Sequence, residues 1–172
     1  MLAAPTEHLP GGVLMRPAIR ADLDTVIELI RALADYERLS HAVVLDRTLM
    51  AQQLFEHGAA EIVLLEQDGR NHGFALYFHN FSTFEGRRGL YLEDLYVRPE
   101  ARALGHGRAL MSYLARLAVR RNCARFEWSV LDWNQPALDF YRKLGATGQD
   151  EWTVQRLEGA ALKALAAGSL AG

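Results

Sequence analysis

The stretch that decides the fold is Leu90-Tyr91-Leu92-Glu93-Asp94-Leu95-Tyr96-Val97, followed by Arg98-Pro99-Glu100-Ala101 and then by Arg102-Ala103-Leu104-Gly105-His106-Gly107. It reads as an apolar strand carrying two adjacent acids, then a loop, and an apolar-periodic helix follows over residues 108–121. Backbone amides and the dipole at a helix N-terminus together bind phosphate. A phosphate-binding loop beside two carboxylates in a strand predicts an enzyme.

The composition is typical of a globular protein with one domain. Of the 172 residues, 50% are hydrophobic and 23% are charged, and this length can bury a substantial core. The formal net charge of −2 argues against nonspecific nucleic-acid binding, which needs a strongly positive surface. The single cysteine, Cys123, excludes an intramolecular disulfide and favours a reducing compartment. No apolar run approaches the ~18 residues of a membrane span, so we predict a cytoplasmic protein with no membrane partner.

The apolar periodicity predicts a succession of strands and helices. We expect a loose leader over residues 1–12, a single domain over 13–157 and an alanine-rich tail over 158–172. The predicted strands are 12–16, 61–66, 72–78, 90–97, 124–131 and 151–157. The predicted helices are 21–36, 46–57, 105–121 and one that begins after Asn134 and ends at Gly145. This order implies an α/β (α+β) fold, a mixed sheet with helices on both faces.

The loop carries the first chemical signal. Glycines at 105 and 107 let a ligand approach the backbone closely because no Cβ intervenes. Two alternating glycines also occur in an ordinary strand-to-helix turn. The preceding strand, and Arg102 three residues before Gly105, favour a phosphate site.

Several motifs resemble one enzyme family. The pattern R-x-x-G-x-G after a strand that ends in V-x-P-E resembles the acyl-CoA signature of the GNAT N-acetyltransferase superfamily. Residues 33–37, 91–97, 130–134 and 140–146 resemble its diamine (spermidine/spermine) acetyltransferase branch, and the similarity extends over about residues 14–157. The resemblance implies the GNAT fold, in which a mostly antiparallel sheet is splayed between the strands at 90–97 and 124–131.

The resemblance also implies acetyl-CoA as co-substrate. Its pantetheine arm would lie between the splayed strands, the loop amides would hold its pyrophosphate, and the helix after Asn134 would contact it from the other side. The residues implicated are Leu95, Tyr96, Val97, Arg102, Ala103, Leu104, Gly105, His106, Gly107, Arg108, Asn134, Ala137 and Tyr141. Ala103 departs from the family pattern, which has a glycine after the loop arginine.

Acetyl transfer to an amine requires a base and a proton donor. An alkyl amine of pKa ~10.4 is protonated at pH 7, and a departing thiolate of pKa ~8.5 gains from a proton. Tyr141 stands where the family places the donor, and Glu93 where it places a carboxylate that acts directly or through water. A core tyrosine and an ion-paired glutamate are the structural alternatives. Asp94 points to the opposite face in a regular strand, and a bulge would change that.

The acceptor pocket implied by the resemblance is acidic. Its residues are Tyr36, Glu37, Glu93, Glu127, Trp128 and Ser129. An acidic lining suits a cationic acceptor, so the favoured substrate is a small primary amine, either a polyamine or diamine or a lysine-like amino acid. Arg87 and Arg88, expected near the entrance, would repel a polycation. A protein or antibiotic amine is the alternative acceptor, and a regulatory module that binds CoA without catalysis is the non-enzymatic alternative.

Two further expectations concern metals and assembly. The six histidines show no helical metal-ligand spacing, and one cysteine cannot build a structural zinc site, so we expect no metal. The resembling branch implies a homodimer.

Overall fold

The structure, a computed structural model, describes residues 2–168 and divides into two compact units, residues 1–129 and 130–172. The first unit holds a six-stranded sheet: β1 (Glu7–Leu9), β2 (Val13–Pro17), β3 (Glu61–Gln67), β4 (Arg70–Ser82), β5 (Arg87–Val97) and β6 (Phe126–Trp128). Its helices are α1 (Leu23–Tyr36), α2 (Arg47–Phe55) and α3 (His106–Arg120). The second unit contains α4 (Gln135–Lys143) and α5 (Gly159–Ala166). None of the helices within residues 2–168 combines the length and the apolar character needed to cross a membrane.

The strands lie in the sheet in chain order. Neighbouring strands are antiparallel from β1 to β5, and β6 joins β5 in parallel. A parallel neighbour requires a crossover connection, which α3 provides here. The prediction of a mixed, mostly antiparallel sheet is confirmed.

Helices cover both faces of the sheet. On the side that we call the α1 face, Leu29 and Leu33 of α1 pack with Leu64 and Phe74. Alternation along β3 turns Glu61, Val63 and Leu65 to the other side, the α3 face. There the carboxylate of Glu61 binds the guanidinium of Arg121, the residue after α3, at 2.5 and 2.7 Å. The predicted helices on both faces are confirmed.

A β-bulge interrupts the pairing of β4 with β5. Leu76 pairs with Asp94 and Tyr77 with Leu92, so Glu93 is the extra residue. Simple alternation would put Asp94 on the same face of the sheet as Leu92. The extra residue reverses this, so the β5 residues after the bulge lie on the opposite face. Asp94 therefore shares the α1 face with Leu76, which corrects the expectation from a regular strand.

The sheet opens at its β6 edge. β6 pairs with β5 only through Leu90, Tyr91 and Leu92. Within residues 2–129, no strand pairs with residues 93–97 along this edge, so their outward backbone groups are available to a ligand. The ladder between β5 and β6 ends at the pair Leu92 and Trp128, and the predicted splay beyond it stays a prediction.

The structure corrects the predictions for both ends and for β6. The supposed loose leader contains β1, which pairs with β2, and the Tyr113 hydroxyl donates to the Pro5 carbonyl at 2.6 Å. β6 is three residues long rather than eight, and its ladder with β5 ends at Trp128. Residues 151–157, all described, form no strand, because alternation alone does not supply a neighbour for the ladder.

Candidate active site

The start of α3 presents backbone amides. Gly105 precedes the helix with φ of 83°, a left-handed conformation that glycine adopts without strain. The Ala109 amide donates to the Gly105 carbonyl at 2.9 Å, and in the first unit's described residues no side chain caps the helix. The amides of His106, Gly107 and Arg108 come before Ala109 in the chain, so they have no carbonyl partner within the helix and can bind an anion. The geometry fits the pyrophosphate of an acyl-CoA.

Arg102 connects this loop to β5 and to the end of α1. Its Nε donates to the Val97 carbonyl at 3.0 Å, and its guanidinium carbon lies 4.4 Å from the centre of the Tyr36 ring and 5.8 Å from that of Tyr96. Both distances are within the range of cation–π attraction. The side chain predicted to contact the cofactor therefore also packs on a residue predicted to line the acceptor pocket.

The other loop residues differ in environment. Ala103 has φ of 64°, so the residue that replaces the usual glycine is held in a left-handed conformation. Leu104 is exposed, whereas His106 is buried and its ring stacks on that of His72 with centroids 5.9 Å apart. The Nδ1 atoms of both histidines are buried without a hydrogen-bond partner among the described residues. Only the amide of His106, and not its ring, fits the predicted role.

Three carboxylates form an acidic cluster on the first unit: Glu37 just after α1, and Glu93 and Asp94 at the bulge. Burial, then the charge of Glu93 and then that of Glu37, raise the pKa of Asp94 to about 6. Burial likewise raises the pKa of Glu37. Within residues 2–129, no basic side chain forms an ion pair with any of the three. The cluster can therefore attract and deprotonate a cation.

The three predicted acceptor residues of β6 do not share one role. Glu127 is already engaged, since its Oε2 accepts from Asn80 Nδ2 at 2.8 Å and from Arg125 Nε at 2.7 Å. Trp128 pairs with Leu92 in the sheet, which places it on the α3 face, away from Asp94. The Ser129 hydroxyl is 2.7 Å from the Tyr91 hydroxyl. Sequence reasoning missed these partners, and it also left open the role of Asp94, whose signal was its position beside Glu93.

The remaining predicted residues lie in the second unit. Asn134 caps α4 by accepting from the Ala137 amide at 3.3 Å, so that amide is not available to a cofactor. Tyr141 lies in the last half of α4, and its ring is 5.3 Å from the ring of Phe140. The roles of these residues toward acetyl-CoA stay predictions.

Arg87 and Arg88 lie elsewhere than expected. They line a cavity together with Arg121 and Asn122, at the C-terminal end of α3. In the β4–β5 ladder Arg88 pairs with Phe81, which places it on the α3 face, opposite to the acidic cluster. The predicted repulsion of a polycation by these arginines therefore lacks support.

The family is shown by sequence comparison. The model of the Acetyltransferase (GNAT) family matches residues 23–146, which is more than half of the chain. The chain belongs to the GNAT family.

Similarity to individual proteins extends over half to nine-tenths of the chain. A thialysine N-epsilon-acetyltransferase of Sus scrofa is 36% identical over 168 residues, covering 91% of this chain and 98% of the relative. An L-ornithine N5-acetyltransferase of Arabidopsis thaliana is 41% identical over 93 residues, 54% of this chain and 41% of the relative. A solved structure of an integron cassette protein from the mobile metagenome of V. cholerae has a TM-score of 0.76 at 28% identity, covering 90% and 98% of the two chains.

These comparisons agree with the predicted activity class. GNAT acetyltransferases use acetyl-CoA as co-substrate, and the family match over residues 23–146 covers the loop, the bulged strand and α4. This GNAT protein is an acyl-CoA-dependent N-acetyltransferase.

Proposed function

We propose that this acetyltransferase modifies the terminal amine of a lysine-like amino acid or a diamine. The observation that carries the proposal is the acidic cluster of Glu37, Glu93 and Asp94, which has no basic partner within residues 2–129. A substrate ammonium group would supply the missing positive charge. The names of two relatives, which act on thialysine and on L-ornithine, point to a side-chain amine of an amino acid.

Asp94 is the base that the structure supports best. Its pKa of about 6 keeps it ionised at pH 7 while leaving it more basic than an ordinary aspartate. Glu93, the residue favoured by the resemblance, is more exposed, and its carboxylate raises the pKa of Asp94. We assign proton removal to Asp94, assisted by Glu93 directly or through water.

The co-substrate supplies the activated acetyl thioester. The amides of His106, Gly107 and Arg108 are proposed to hold its pyrophosphate, and the unpaired backbone of Leu95 and Val97 its pantetheine arm. Tyr141 is proposed to donate a proton to the departing thiolate, on the strength of its position in the family motif.

An amine panel tests the proposal. Purified protein and acetyl-CoA are incubated with thialysine, L-lysine, L-ornithine, putrescine and spermidine, and released CoA and acetylated product are measured by a thiol reagent and by mass spectrometry. We expect turnover with an amino acid or diamine that falls at least 100-fold in Asp94→Asn and at least ten-fold in Tyr141→Phe. The matched control Asp68→Asn changes an acid in the β3–β4 turn and should retain full activity. Tight acetyl-CoA binding with no turnover on any amine would instead support a regulatory CoA-binding module.

We also propose a cytoplasmic homodimer. The single cysteine suits a reducing compartment, and the branch resemblance supports the dimer. Light scattering coupled to size-exclusion chromatography tests the assembly, since a monomer and a dimer of a 19.3 kDa chain are readily separated.

A further inference from the structure

The cavity lined by Arg87, Arg88, Arg121 and Asn122 lies at the end of α3 that is remote from the loop amides. It has a volume of about 610 Å³ and lies between the β4–β5 hairpin and the residues after α3. α3 contains 15 residues, so its two ends are about 22 Å apart. The cavity is therefore separate from the proposed cofactor site.

The cavity carries excess positive charge. Arg121 is neutralised by its bidentate ion pair with Glu61. Arg87 is held by the Asn122 Oδ1 at 3.2 Å and touches Glu85 only at 3.4 Å, in an exposed pair that water screens. Arg88 is exposed and has no ion-pair partner within residues 2–129. Two guanidinium groups thus remain for a ligand.

An unsatisfied polar atom and an aromatic ring complete the lining. His79 Nε2 is buried without a hydrogen-bond partner among the described residues. Burial and the charge of Arg121 lower the pKa of His79. A neutral imidazole keeps one N–H, and the tautomer that carries it on Nε2 donates from that atom. Phe81 lines the same cavity and is 62% exposed, which gives the cavity an apolar surface large enough for a ring.

We propose that this cavity binds a small organic phosphate that carries an aromatic ring. The planar forks of Arg87 and Arg88 match a phosphate dianion in geometry and in charge, and His79 Nε2 supplies a further donor. The volume far exceeds that of a bare oxyanion, and Phe81 provides a surface on which a ring can stack.

Calorimetry with adenosine 5′-monophosphate as probe tests the site. The protein is first saturated with acetyl-CoA so that the loop amides are occupied, and the ionic strength is kept low because exposed charges are screened by salt. We expect the nucleotide to bind with a stoichiometry of one, adenosine not to bind, and inorganic phosphate to bind at least ten-fold more weakly than the nucleotide. Arg88→Gln should weaken nucleotide binding at least ten-fold, and Asn122→Gly, which releases Arg87 and keeps the left-handed backbone of position 122, should weaken it several-fold.

The control is Arg70→Gln, which removes the same charge from the far end of β4. It should leave binding unchanged, and unaltered thermal unfolding of all three variants shows that the fold is intact. The proposal is overturned if the nucleotide produces no binding heat, if adenosine or inorganic phosphate binds as tightly as the nucleotide, or if Arg70→Gln and Arg88→Gln weaken binding equally.

Discussion

Asp94 lies opposite Leu76 in the β4–β5 ladder, whereas Glu93, one residue earlier, has no partner on β4. This single inserted residue turns Asp94 to the α1 face, where Glu37 follows the end of α1. Without the bulge Asp94 would face α3. The bulge thus brings Asp94 into the acidic cluster with Glu37 and Glu93. We therefore assign the base to Asp94 and test it first.

We predict that Asp94→Asn abolishes the acid limb of the pH–rate profile. In the native protein kcat/KM should fall as pH drops below about 6, because protonated Asp94 cannot accept the proton of the amine. The variant should lose at least 100-fold at pH 8 and show no inflection near pH 6 in its residual rate. The profile is measured with the best amine of the panel, and Asp68→Asn serves as control. An inflection that persists in Asp94→Asn would assign the base to another residue, with Glu93→Gln as the next variant.

The same substitution should stabilise the protein at neutral pH. The pKa of Asp94 rises from 3.8 to about 6 on folding, so the folded state binds its proton more tightly and stability falls as pH rises between these values. Removing the charge should raise the free energy of unfolding by at most about 3 kcal/mol above pH 7. Urea denaturation at pH 3.5 and pH 8 measures this difference. If Asp94→Asn stabilised the protein equally at pH 3.5 and at pH 8, the charge of Asp94 would not be the cause.

Much of the fold could be predicted from the sequence. Period-3.6 apolar positions gave α1 and α3, and the apolar runs at 61–66 and 72–78 gave β3 and β4. The loop from Arg102 to Gly107 was recognisable from its arginine, its two glycines and the strand before it. The left-handed Ala103 is the position where the residue type does not announce the backbone. Features that depend on a few consecutive residues can therefore be predicted from the sequence.

The parts that were missed depend on contacts between distant residues. Nothing local marks the bulge at Glu93, which follows from the register of β5 against β4. The engagement of Glu127 by Asn80 requires the β4–β6 proximity that only the folded sheet creates. Pairing of β1 with β2 is a local exception, and it was missed because a three-residue strand carries too little alternation to be recognised.

Ala103→Gly should stabilise the protein. Ala103 has φ of 64°, which is about 1 kcal/mol less favourable for alanine than for glycine. We expect the midpoint of urea unfolding to rise by an amount equivalent to up to about 1 kcal/mol, because relief of strain exceeds the added freedom of the unfolded chain. Ala101→Gly, in the 3-10 turn at Pro99–Ala101, is the matched control and should destabilise. The same sign for both variants would argue against strain at position 103.

Glu61→Gln should be among the more destabilising single changes. Arg121 is 1% exposed, and Glu61 is its bidentate counterion. Loss of that charge leaves a buried guanidinium without compensation, which should lower the free energy of unfolding by about 3 kcal/mol. Glu56→Gln breaks the exposed pair with Arg20 and should change stability by less than about 1 kcal/mol. Thermal and urea unfolding distinguish the two, and similar losses would show that burial of Arg121 is energetically unimportant.

Arg102→Lys tests whether the loop and the end of α1 act together. Lysine keeps the positive charge but lacks the Nε–H that binds the Val97 carbonyl and the flat group that lies over Tyr36. Loss of one hydrogen bond and one cation–π contact should raise the KM for acetyl-CoA about ten-fold, with a smaller effect on kcat. Arg120→Lys, in the last turn of α3, is the control.

A double-mutant cycle with Tyr36→Leu separates the two contacts. If stacking links the loop to α1, the effects of Arg102→Lys and Tyr36→Leu on acetyl-CoA binding should be less than additive by about 1 kcal/mol. Fully additive effects would mean that the two side chains contribute independently. In that case Arg102 would act on the cofactor site only through Val97, and Tyr36 would belong to the acceptor pocket alone.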